Sequence, residues 1–211
     1  MLRHLASGMT LMVGLAVAMP APVSAQATDA ISDLPSGSYE LDLSHASLLW
    51  KVNHMGLSMY TARFTNFDAD VTLDAADLSK SDVSVVIKAA SVETDFPFET
   101  KDWDKELADD AKWFNSGEYP DITFKATGIE VTGDNTGKIA GNLTMLGQTH
   151  PTTLDVTLNG AMKSHPFSKK PVMGFTASGV IDRTQWGMKT FAPMIGKDVE
   201  LVIQAEFYKA E

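Results

Sequence analysis

The chain has no cysteine in its 211 residues. That excludes disulfides, thiolate metal centres and a cysteine nucleophile, and it removes the usual residue for lipid attachment at an export-signal cleavage site. Basic residues are scarce as well: 17 Lys and Arg stand against 27 Asp and Glu, a net charge of −10, with no basic cluster to offset it. A surface of that sign repels phosphate backbones and anionic membranes, so no nucleic-acid partner is expected. Long apolar runs are missing. The best candidate, Leu11 to Met19, is closed by Pro20 and Pro22 and is shorter than the roughly 20 residues a membrane span requires. No stable membrane insertion follows.

Several catalytic signatures are absent too. No Gly-x-Ser-x-Gly elbow occurs, and the spacing Gly141 to Gly147 lacks the lysine of a phosphate loop. His45, His54, His150 and His165 show no i, i+2 or i, i+4 pairing, so neither a metal site nor a cofactor is expected. His150 and His165 adjoin prolines and read as exposed loop residues. Asp42, Ser44, His45 and Ser47 contain the residue types of a catalytic triad. In an extended stretch, however, alternate side chains face opposite ways and cannot converge, which points to a structural role.

What is present begins with a leader. Met1-Leu2-Arg3-His4, the apolar run and Val23-Ser24-Ala25-Gln26-Ala27 combine a positive start, a short apolar core and small residues at the cut. They predict a cleaved signal peptide over residues 1–27 and a periplasmic or secreted protein. Residues 28–36 are small and polar and read as a flexible lead-in, followed by a single domain over 37–209.

Period-two alternation dominates that domain. Eight segments carry it: Leu48-Trp50-Val52-His54; Phe67-Ala69-Val71-Leu73; Val83-Val85-Ile87-Ala89; Ile122-Phe124-Ala126; Ile139-Gly141-Leu143-Met145; Leu154-Val156-Leu158; Met173-Phe175-Ala177-Gly179-Ile181-Arg183; and Val199-Leu201-Ile203-Ala205-Phe207. Phe64 is out of phase with Phe67, which predicts a bulge between them. Turn residues at 133–137, 147–151 and 164–171 make consecutive strands antiparallel neighbours. The stretch 94–120 breaks the rhythm, with Trp103 and Leu107 at helical spacing and Trp113 and Phe114 beyond. It predicts one or two short helices between strands three and four that cover the sheet and stop before Pro120. The fold class is therefore all-β: an eight-stranded antiparallel barrel, which alone removes both exposed edges. A two-sheet sandwich is the alternative.

Six stretches then resemble, in order, the YceI-like family: Tyr39-Glu40-Leu41-Asp42-Leu43-Ser44-His45; Val52-Asn53-His54-Met55-Gly56 with Phe64 and Phe67 following; Phe114 with Tyr119-Pro120-Asp121-Ile122-Thr123-Phe124; Gly141-Asn142-Leu143-Thr144-Met145-Leu146-Gly147-Gln148-Thr149; Ile181-Asp182-Arg183-Thr184-Gln185-Trp186-Gly187-Met188; and Gly196-Lys197-Asp198-Val199. Two places depart. Ala62 stands where the family usually has Gly, and Asp104-Lys105-Glu106-Leu107 lacks the Arg and His of an Arg-Asp-x-His-Leu pattern. The resemblance implies a lipocalin-like barrel whose bore holds polyisoprenoids, quinone-like molecules or other long-chain amphiphiles, with no shared catalytic activity.

On that reading the bore is lined by Leu48, Trp50, Val52, His54, Phe67, Val85, Ile87, Phe124, Leu143, Phe175, Ala177, Ile181, Arg183, Leu201 and Ile203. Small inward residues such as Gly141, Gly179 and Ala69 would leave a channel among them. His54 and Arg183 share the inward phase, and a charge buried among apolar walls needs a partner. Either they meet a lipid head group, or Arg183 pairs with an acid such as Asp42. The expected function is carriage or storage of a long-chain lipid by a monomer or a homodimer. Two rivals remain: an enzyme acting on such a lipid with His54 as acid or base, and a filled barrel that only binds partners.

Overall fold

The computed structural model describes residues 29–211, so the predicted leader lies outside the described residues. Strand β1 runs Gly37–Leu41, makes one tight turn of 3-10 helix at Leu43–His45, and resumes as Ser47–His54. Strand β2 (Ser58–Phe64 and Phe67–Leu73) and strand β3 (Asp82–Lys88 and Val92–Glu93) are likewise interrupted once. Helix α1, Trp103–Asp109, follows. The remaining strands are β4 (Asp121–Val131), β5 (Thr136–Met145), β6 (Gln148–Met162), β7 (Val172–Asp182) and β8 (Ile195–Lys209).

Each strand pairs antiparallel with the next, and β8 returns to both halves of β1, from Tyr39↔Lys209 to His54↔Ile195. The sheet is thus a closed eight-stranded meander with a helix between strands three and four, which excludes the sandwich. Alternation explains the faces: Phe67, Ala69, Val71 and Leu73 are buried, while Asp68, Asp70 and Thr72 are exposed.

The breaks in β1, β2 and β3 lie side by side and are stitched together. Thr65 donates its backbone N–H to Ser91 O at 3.0 Å, and Ser91 Oγ donates to Lys88 O at 2.7 Å. The extra residues at Thr65 and Asn66 reset the phase of β2, so Phe64 and Phe67 both point inward.

The two ends differ. At the lower end, the segment expected as a flexible lead-in instead packs as a floor. Ile31–Asp33 form a 3-10 turn, Leu34 is only 3% exposed, and the buried Tyr39 donates its hydroxyl proton to Pro35 O at 2.8 Å. An apolar side chain every third residue (Ile31, Leu34) outweighs the polar composition that suggested a loose tether. At the upper end, α1 is capped by Asp102, whose carboxylate accepts from Lys105 N at 2.8 Å, and it carries Leu107 and Ala108 inward. Trp113 and Phe114 follow in turns, with Phe114 edge-on to Phe64 at 5.2 Å. Among the described residues, no helix is long and apolar enough to cross a membrane.

The turn between β5 and β6 is tighter than expected. Leu146 and Gly147 alone make it, both with positive φ (51° and 68°), and β6 starts at Gln148. Pro151 therefore lies within a strand, opposite Asn142, and His150 faces inward rather than into solvent. Its ring meets Trp186 edge-on at 4.9 Å.

Candidate functional site: a lidded apolar bore

The bore holds two adjoining chambers. The larger, about 570 Å³, lies under α1, and the smaller, about 210 Å³, lies above the floor formed by Ile31. Leu48, Val85, Phe124, Leu154 and Ile203 line both and form a waist between them.

All fifteen positions read from the sequence fall on these walls. Leu48, Trp50, Val52, His54, Val85, Ile87, Phe124, Leu143, Ile181, Arg183, Leu201 and Ile203 line the large chamber. Phe67, Phe175 and Ala177 line the small one, together with the waist. Reading strand periods misses the roof: Tyr60, Phe96, Trp103, Trp113, Phe114, Met188, Phe191 and Met194 also line the large chamber. Most of these sit in irregular chain, where period two gives no signal. The hint was compositional, since Phe96, Phe98, Trp103, Trp113 and Phe114 crowd a stretch otherwise rich in charge.

Gly141 and Gly179 do not open the channel as expected. A Cβ on Gly141 would sit 2.3 Å from Phe124 Cζ, and one on Gly179 would sit 2.8 Å from Leu154 Cδ2. The missing side chains make room for the two bulky residues of the waist. Alanines, among them Ala69, Ala177 and Ala205, line the small chamber.

Arg183 does not pair with an acid; its hydrogen-bond partners are backbone carbonyls. Its Nε donates to Gly196 O (2.9 Å), Nη1 to Met188 O (2.7 Å), and Nη2 to Thr190 O (3.0 Å) and Ile195 O (2.9 Å). The loop 187–196 wraps the guanidinium and supplies four carbonyl oxygens, so the charge is solvated by backbone dipoles. Trp113 lies 5.8 Å from it, and burial pushes its pKa down from the ordinary guanidinium value. Asp182, next in sequence, turns outward to Lys197 at 2.9 Å.

Among the described residues, the side-chain atoms Trp50 Nε1, Thr152 Oγ1 and His150 Nε2 are buried without a partner. Trp50 and Thr152 both line the large chamber. An unpaired buried donor costs free energy.

The argument that kept Asp42, Ser44 and His45 apart fails, because the chain there is a 3-10 turn and not extended. Ser44 Oγ donates to Asp42 Oδ1 at 2.6 Å, and His45 Nδ1 is 2.8 Å from Asp42 Oδ2 and 3.1 Å from Ser44 Oγ. The geometry is a cap and not a relay, since serine and aspartate both meet the same ring nitrogen. The same turn recurs at Asp77-Leu78-Ser79 and Asp182-Arg183-Thr184, where each aspartate accepts from the Ser or Thr two residues on. Burial works to raise Asp42, but hydrogen bonds from Ser44 and then His45, with the His45 charge, together hold it below the usual carboxylate range; the same Asp42 bond raises His45. Glu206 lies close enough that Asp42, His45 and Glu206 offer three ligand atoms within 4.8 Å of one another, outside the bore.

The model of the YceI-like domain matches residues 39–207. The chain belongs to the YceI-like family. A YceI-like relative, a UPF0312 protein of Pseudomonas putida strain F1, is 33% identical over 156 residues, 73% of this chain and 78% of the relative. One from Staphylococcus epidermidis is 29% identical over 175 residues, 80% and 96% of the two chains. The YceI protein of Campylobacter jejuni superposes with a TM-score of 0.65 at 28% identity, covering 76% of this chain and 91% of that one. A polyisoprenoid binding domain from Saccharophagus degradans, implicated in plant cell wall breakdown, shares the fold at TM-score 0.56 and 14% identity, covering 82% and 98%.

The departures from the YceI-like pattern have local substitutes. Asp104 accepts from Thr94 N (2.8 Å) and Thr94 Oγ1 (2.5 Å), tying the lid to β3. Trp103 takes Lys101 Nζ over its ring at 3.6 Å, and Lys101 pairs with Glu106 at 2.7 Å. The lid is held by these contacts without the Arg and His. Ala62 is buried opposite Trp50.

Proposed function

We propose that this YceI-like barrel is exported, residing in the periplasm or outside the cell, and carries or stores a neutral-headed lipid with a long apolar tail, an isoprenoid or isoprenoid quinone. The observation that carries this reading is the apolar bore, two adjoining chambers deep and roofed by aromatic side chains. Burying ten methylenes there would contribute about 8 kcal/mol before ordering costs. The description of the Saccharophagus neighbour as a polyisoprenoid binding domain is consistent with it.

The head group follows from the polar inventory. Arg183 and His54 are the basic side chains on the large chamber's wall, and four of the five N–H donors of Arg183 are taken by backbone carbonyls. A phosphate head would find one N–H of the guanidinium left to it, too few for the bidentate clamp that phosphate recognition uses. A carbonyl or ether oxygen, by contrast, would satisfy Trp50 Nε1. A binding role fits the wall, whose side chains are almost all apolar or aromatic.

Native mass spectrometry of the protein purified from its own host tests the reading. A co-purifying neutral lipid of several hundred daltons is the expected result, and a bare mass under gentle conditions overturns it. Trp50→Phe should weaken retention of a prenylated quinone about fivefold while leaving an all-hydrocarbon polyprene unaffected.

A further inference from the structure

Around the upper end, six large apolar side chains stand exposed: Met55 and Leu57 in the β1–β2 turn, Phe96 and Phe98 in the loop before α1, and Phe191 and Met194 in the loop before β8. Leu57 is 81% exposed and Phe98 63%. The three loops form one rim. Met55 N donates to Met194 O at 2.8 Å, Phe96 and Phe98 pack edge-on at 5.5 Å, and Phe191 lies 6.2 Å from Trp113. Met55, Phe96, Phe191 and Met194 also line the large chamber. The apolar surface therefore runs unbroken from inside the bore onto the outside of the protein.

The charges on these loops nearly cancel. Asp95 is paired with Arg63 at 3.2 Å, and Lys101 is paired with Glu106. Glu99, Asp102 and Lys189 remain, two acids and one base. A contiguous exposed apolar rim marks an interaction surface, and the lack of a net positive patch excludes recruitment by anionic lipid.

We infer that this rim docks the open end of the barrel on the surface of a zwitterionic lipid bilayer. The inference rests on the carrier reading, because a membrane-resident ligand must cross from bilayer to bore. Each methylene that meets water on the way costs about fourfold in partition. A rim seated among acyl chains and head groups keeps the tail out of water throughout. Leu57 and Phe98 project beyond the chamber and would enter the bilayer first.

Flotation with phosphatidylcholine vesicles tests this, using the mature protein and the double variant Leu57→Ser/Phe98→Ser, neither residue of which lines the bore. The wild type is expected to float with the vesicles, and the variant to lose at least about tenfold in bound fraction while keeping its melting temperature. Replacing part of the phosphatidylcholine with phosphatidylglycerol should lower binding. Docking is overturned if the wild type stays at the bottom, binds only anionic vesicles, or floats no better than the variant. It is also overturned if sedimentation shows the rim buried in a dimer that the double variant dissolves. Native mass spectrometry on the same sample separates the two ideas. A bound lipid without flotation sinks docking alone, and a bare protein sinks the carrier reading whatever the vesicles do.

Discussion

Gly141 shows how one hydrogen atom shapes the bore. Its Cα approaches Phe124 so closely that an added methyl would also sit 2.7 Å from Lys125 O, which is backbone and cannot yield. Gly141→Ala must drive Phe124 toward the bore axis. We expect a stability loss of about 1–3 kcal/mol in urea unfolding, with weaker lipid retention; unchanged retention would mean the waist does not contact ligand. Arg183 is the opposite case, a side chain whose every contact is polar inside an apolar wall. Arg183→Met leaves four carbonyl oxygens without their donor, and a loss of about 3 kcal/mol or more is expected, with faster amide exchange across residues 187–196. Arg183→Lys should recover little, because an ammonium cannot span four acceptors arranged for a planar fork. Neither position was legible in full from the sequence. The inward phase of both was, because period two fixes a face. What the glycine accommodates and what the arginine binds depend on a neighbouring strand and on a loop.

At the scale of elements, a part of each of the eight strands was visible, since each needs one apolar face against the bore, but the first halves of β1 (Gly37–Leu41) and β2 (Ser58–Phe64) were not. Nor were the irregular pieces. The 3-10 turn at Leu43–His45 brings together three side chains that an extended chain would separate, and Pro151 sits inside β6 although proline suggested a loop. The Asp-x-Ser/Thr caps of these turns give a pH prediction. Thr184 and Lys197 hold the Asp182 carboxyl down from 3.8 to about 2. A depressed folded-state pKa adds stability above the unfolded value, and that stability is lost as pH falls from about 4 toward 2. Asp182→Asn should therefore melt lower than the wild type at neutral pH, with the gap closing across that acid window. A gap that persists at low pH would show that the charge is not what stabilises the turn.

At the scale of the molecule, β8 closes the sheet onto β1, and the two ends are covered by different means. Residues 31–37 and the lower turns floor one end, whereas a seven-residue helix and two loops roof the other. Composition suggested the reverse at the lower end, because polar residues outnumber Ile31 and Leu34 there even though those two decide the fit. An occupied bore should raise the melting temperature with ligand concentration, as for any ligand that binds only the native state. Scanning calorimetry with and without a prenylated quinone checks this, and no shift at saturating ligand would contradict it.

The girdle of Leu48, Val85, Phe124, Leu154 and Ile203 has a kinetic corollary. On the proposed carrier reading, a short tail rests entirely above it, whereas a long one must be threaded through a ring of side chains before its tip can rest. Residence time on that reading is a stepped function of chain length, with the step where the tail first passes the girdle.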